Sequence, residues 1–348
     1  MKVLATMGYF DTGGDGALWG LDLATGRADL LLRYTPPVAL RVPTRGFTGG
    51  CWGPDGALYV AGHAAVFRID PGRWAVDGVL HVPSFNDLHH VAADDERLYI
   101  ANTGSDAIDV FARDGRFVGS HHLAPGWLLA RRMTGSTPGR EVDVAASQWD
   151  GEPPPGWTHE AGDDGYHTPG AQRVTTPYWR SKLPDRFHPN HVCVAEGRVL
   201  VTCLNDGSIR EVTGLTTVTQ LPGVFPHDGL RRADGLWFTS IDGGIWRLSG
   251  APGSTGGRAE RVFDVFASTG HWGWCRGLWI DGEALAVGLT EVRADRLPRH
   301  RWSERAPAGS ETSVLWIERS RGTLRGRVDL TDRTRHAKIY SILPWSGR

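Results

Sequence analysis

One motif recurs along this chain and limits its fold more than any other feature. "CWGPDGALYVAGHAAVFRID" begins at Cys51, "HHVAADDERLYIANTGSDAIDVF" at His89 and "NHVCVAEGRVLVTCLNDGSIREV" at Asn190. "HDGLRRADGLWFTSIDGGIWRL" begins at His227 and "RGLWIDGEALAVGLTEV" at Arg276. Each copy has a short strand, a Gly/Asp turn and an apolar strand. A third strand follows in the first four, and several end in a more polar strand such as "GRFVGSHHL" or "TTVTQL". Four antiparallel strands repeated at about 40 residues describe the blade of a β-propeller.

Five copies are visible, and the termini supply a sixth. "KIYSILPW" at 338–345 reads as an innermost strand, with "KVLATMGY", "GALWGLDL" and "RADLLLRY" as its partners. A blade shared between the termini closes the ring and leaves no free sheet edge. The expectation is therefore an all-β, six-bladed propeller forming a single domain over 1–348, with seven blades as the alternative. Two stretches lack strand alternation. Residues 124–187, rich in Pro, Gly and Trp, are expected to form a lid over one face. Residues 293–311 are expected to form a second inserted loop.

Composition narrows the functions. Net charge is -1, so no nucleic-acid partner held through its phosphates is expected. Lysine occurs only at Lys2, Lys182 and Lys338, so the basic residues are nearly all arginine. Cys51, Cys193, Cys203 and Cys275 show no CxxC spacing, which argues against a zinc knuckle. No signal-peptide pattern and no long apolar run is present, so no membrane partner and a cytoplasmic location are expected. There is no P-loop, no dinucleotide fingerprint and no GxSxG elbow.

Aligning the copies by their apolar strands puts "NDLHH" (86–90), "HPNH" (188–191), "FPHDG" (225–229) and "GWCRG" (273–277) at one phase, where each innermost strand begins. Innermost strands line the central channel, so His89 or His90, His188 or His191, and His227 are expected to converge at its mouth. Alternation along a strand predicts that His89 and His90 do not both face inward. Histidines from separate strands suit a divalent metal, zinc, iron or manganese, with open positions. They also suit acid–base catalysis without metal. Catalytic candidates are His227, Asp228 and Arg276, the last to hold an anionic group. Substrate-binding candidates are Asn86, Asn190, His271, Trp272 and Trp274. His121 and His122 are expected on an outer strand, and His159 and His167 lie in the long insertion.

The motifs at 186–292 and 338–344 resemble a group of bacterial six-bladed propellers of unknown function, a resemblance running from about residue 40 to the end. That group carries an acidic residue where this chain has Lys338. The architecture is more distantly similar to NHL, gluconolactonase and strictosidine-synthase-like propellers. The carboxylate and Asn ligands of gluconolactonases are not matched here, where the same phase is rich in histidine. Carotenoid oxygenases and streptogramin lyases are analogous only in placing histidines near a metal on a propeller. The expected function is a metal-dependent lyase, isomerase or hydrolase acting on a small, anionic organic molecule. The alternatives are a non-catalytic module that binds a protein or glycan, and an iron-dependent oxygenase.

Overall fold

The computed structural model describes residues 1–10, 14–37, 40–42, 45–82, 84–123, 185–250, 257–292, 302, 310–331 and 336–345. The strands pair into six four-stranded antiparallel sheets. Blade 1 joins the termini: Ala337–Pro344 is innermost, followed outward by Lys2–Tyr9, Gly16–Asp22 and Arg27–Tyr34. The innermost strands of blades 2 to 6 are Gly50–Trp52, Leu88–Ala93, Pro189–Ala195, Leu230–Arg232 and Trp274–Asp281. Six blades, not seven, form the ring. The lid at 124–187 and the loop at 293–311 fall almost wholly outside the described residues. No helix among the described residues is long and apolar enough to cross a membrane.

Burial explains the strand pattern. The second strands lie between neighbours on every side, and Leu58–Ala61 and Gly235–Thr239 are buried throughout. Such strands read as continuous apolar runs. The outermost strands meet water on one face, and Phe117–His122, which holds His121 and His122, has no fully buried residue. The hairpin inside blade 4 turns on Glu196 and Gly197, both at positive φ (52° and 73°). A two-residue turn of that hand matches the twist of the strands it joins.

Six apolar clusters hold the ring, one at each boundary between blades. Leu4 and Leu18 of blade 1 meet Leu58, Val60 and Phe67 of blade 2. At the closing boundary, Val3, Ala5 and Met7 of blade 1 meet Ala286, Val314 and Val328 of blade 6. Because both termini contribute to blade 1, the ring cannot open there without breaking a sheet.

Each innermost strand carries one extra residue at the same height. In blade 1, Thr6 faces Ser341 and Met7 faces Ile339, so Tyr340 is unpaired. His89 is skipped in the same way in blade 3, and Asn190 in blade 4. Blade 6 gains a residue between Cys275 and Leu278. In blade 5 the Pro226–Ser240 bridge and the Leu230–Trp237 pair enclose a surplus residue around His227–Gly229. In blade 2, Thr48 N–H donates to Ala61 O while Ala61 N–H donates to Gly49 O, so two residues oppose one. These are β-bulges, which re-aim side chains at the rims of closed sheets.

Candidate functional site

The bulges decide how the histidines face the axis. The expectation that only one of His89 and His90 faces inward is corrected: the bulge at His89 breaks the alternation between them. His89 packs edge-on against His188 with ring centroids 4.7 Å apart, and also faces Tyr340 of blade 1 at 6.3 Å. His90 stacks on His191 at 3.8 Å. His188 and His191 are likewise split by the bulge at Asn190. Four of the five histidines named from the sequence as metal candidates thus meet in two pairs, His89 with His188 and His90 with His191.

Toward the start of the innermost strands lie His89, His188, Arg276 and Tyr340. Asp185 holds His188 through its Nδ1, and Asp87 forms a buried ion pair with Arg45 at 2.9 Å beside His63 and His89. The Arg276 guanidinium lies over Tyr340 at 4.9 Å and Trp274 at 5.2 Å. Arg276 is enclosed by protein yet retains some accessible surface. Its Nε has no partner, and it has no carboxylate within 4 Å among the described residues.

His227 and Asp228 occupy the level between the two pairs. His227 Nδ1 lies 3.5 Å from Asp228 Oδ2 without hydrogen-bond geometry. Asp228 Oδ2 accepts from Thr239 Oγ1 at 2.8 Å and from the Gly277 N–H at 2.5 Å. Burial pushes the Asp228 carboxyl up, but His227 and these donors outweigh it and hold it below the usual range. Burial pulls His227 down to about 4, assisted by Arg276. Burial likewise pulls His90 down to about 4, and His89 and His191 well below the ordinary imidazole value. Arg276 is lowered by burial, partly offset by Tyr340 and Asp228. At neutral pH the set is an ionised Asp228, a neutral His227 and a charged Arg276.

Other candidates are placed differently. The Asn86 N–H donates to Asn102 Oδ1 and its carbonyl accepts from Gly104, each at 3.0 Å, so it ties a turn of blade 3. Asn190 Nδ2 reaches the Pro226 carbonyl at 3.3 Å and links blades 4 and 5. Its Oδ1 is buried without a hydrogen-bond partner among the described residues. His271 lies beside Arg327 and Glu311, and Trp272 stacks on Phe266 at 4.5 Å. Both contacts are packing in and beside blade 6. Among the described residues, Trp274 is the member of this trio that touches an axial residue, Arg276.

Several residues at the site escape the sequence reading. Tyr340 occupies the phase of Arg276 in the closing strand and could be found by aligning "KIYS" with "GWCRG". Asp87 sits inside "NDLHH". Arg45 and His63 have no motif, because they reach the axis from loops of blade 2. The four thiols are free, and burial raises Cys51 to about 12 and Cys193 to about 11, so neither is a thiolate nucleophile at neutral pH.

The chain is similar across its length to a protein of unknown function from Bacteroides caccae: 10% identity, TM-score 0.57, covering 99% of each chain. It is also similar to a chain of the nidogen–laminin complex: 11% identity, TM-score 0.55, covering 98% of this chain and 97% of that one. At such identities the likeness is one of fold alone. No family model and no curated protein matches the chain.

The donor set bears directly on the metal expectation. The imidazoles turn their faces and edges to one another, and among the described residues no three His, Cys, Asp or Glu side chains gather as metal ligands. In this arrangement the histidines do not fit a zinc, iron or manganese ion.

Proposed function

We propose that the axial channel binds a small organic anion and acts on it by proton transfer, as a lyase, isomerase or hydrolase. Arg276 carries this reading: a guanidinium enclosed in the channel, braced by Tyr340 and Trp274, with no carboxylate in contact among the described residues. Enclosure strips water from a cation, and an anionic ligand would compensate it. The planar fork matches a carboxylate or phosphate in two bonds.

His227 would then be the base. Being neutral, it can take a proton from the substrate or from a water. Asp228 beside it stays ionised and would stabilise the imidazolium that forms. His89 and His188 wall the same space and would exclude bulk water. No step in this reading passes through a metal.

Calorimetric and thermal-shift titrations with acetate, succinate and phosphate monoesters test it. Saturable binding by the wild type, lost in Arg276→Met, is the expected result. Absence of anion binding, or binding unchanged in Arg276→Met, would overturn it. For the proton-transfer role, His227→Ala should keep anion binding and lose turnover. Anion binding without turnover of any ester, lactone or hydroxy acid by the wild type would leave a binding module instead.

A further inference from the structure

Past the stacked His90 and His191, the channel opens into a cavity of about 210 Å³ lined from all six blades. It lies toward the ends of the innermost strands, whereas Arg276, His89 and Tyr340 precede its lining residues in their own strands. We infer that this cavity is a second ligand site, for a small neutral molecule joining one ring or a short chain to a hydroxyl or amide group.

Three observations support that chemistry. The first is size: an apolar cavity of about 150 Å³ suffices to hold benzene. Leu278, Trp279, Ile342 and Leu343 supply apolar wall. The second is an unused polar pair at the inner end. His191 lines this cavity and makes no hydrogen bond to the protein among the described residues. Across the channel, Ser341 donates its backbone N–H to Thr6 Oγ1, and its hydroxyl has no protein partner among the described residues. The third is charge. Arg231, the cation among the lining residues, is paired with Glu196 at 3.1 Å, and Asp228 Oδ2 already accepts from Thr239 and Gly277, so the lining offers no unpaired cation to an anion.

The imidazoles are also held in place. A Cβ on Gly229 would lie 2.9 Å from His191 Nδ1, and one on Gly49 would lie 2.4 Å from His90 Cδ2. Backbone therefore backs both rings, and a ring held in place loses little freedom when a ligand binds beside it.

Phenol, with benzene as the apolar control, is the probe, read by ligand-observed NMR and calorimetry. The wild type should bind phenol saturably. His191→Leu and Ser341→Ala should each weaken phenol by about 5- to 10-fold, the worth of one neutral hydrogen bond, and change benzene less. Arg276→Met should leave phenol binding intact, which separates this site from the anion site. No saturable phenol binding by the wild type, or a Kd unchanged in Ser341→Ala and in His191→Leu, would overturn the inference. Should His191→Leu fail to fold, Ser341→Ala, a loss of one oxygen, decides alone.

Discussion

His90 and His191 stack across the boundary of blades 3 and 4 with ring centroids 3.8 Å apart and planes inclined by 37°. Two imidazolium ions would repel at that distance, so the stack requires neutral rings. Burial enforces this, holding His90 at about 4 and His191 well below its ordinary value. In the unfolded chain these groups titrate near 6.5, so below that pH the unfolded state binds more protons than the folded one. Stability is then fully present above pH 6.5 and is lost as pH falls toward 4. A shift of the size at His90 corresponds to roughly 3 kcal/mol at most. Chemical denaturation at pH 7, 5.5 and 4.5 should show the decline, and His90→Gln should make it shallower, with the other buried histidines supplying the remainder.

Arg276 offers a test of the opposite kind. An enclosed charge without an ion-pair partner contributes little to folding, and an apolar side chain of similar length is often neutral or stabilising in its place. Arg276→Met should melt at the wild-type temperature or above it, while losing the anion-dependent rise. A melting point lower by more than a few degrees would assign Arg276 a structural role.

Asp106 has a structural task at the entry to blade 4. Its carboxylate accepts from the backbone N–H groups of Arg186 at 2.5 Å, Phe187 at 2.9 Å and His188 at 3.0 Å. It does so from a left-handed backbone, φ 47°. Asp106→Ala strands those donors and should cost about 3 kcal/mol. Asp106→Asn tolerates the backbone and keeps one acceptor oxygen, so it should cost less. Urea unfolding of both variants measures the difference.

Gly49 is hemmed in by the histidine strand. A Cβ there would stand 2.6 Å from the His89 carbonyl oxygen as well as 2.4 Å from His90 Cδ2. The carbonyl belongs to backbone and cannot swing away. Gly49→Ala should destabilise the protein by about 1–3 kcal/mol and shift the His90 and His191 ring resonances together.

Ring closure depends on the last strand. Ala337–Pro344 is the innermost strand of blade 1, and Ala337, Ile339 and Ile342 are buried against blade 6. A chain ending at residue 336 loses that strand, exposes the edge of Lys2–Tyr9 and uncovers the apolar face of blade 6. It should be recovered as aggregate or as an unfolded species by circular dichroism, in contrast to a chain shortened only by 346–348.

The amino-acid order determined the blade count, the shared closing blade and the height at which the histidines cluster, because strand alternation and turn residues act over a few neighbours and repeat at blade spacing. It also marked Arg276, His227 and Asp228 by their common phase. Which faces those residues take was decided by the bulges, and a surplus residue leaves no signature in an alternating pattern. The stacking of His90 on His191, the bracing of Arg276 by Tyr340 and the pairing of Arg45 with Asp87 join blades far apart in sequence. Only the closed ring brings them together, since each blade supplies one wall of a channel that no blade contains by itself.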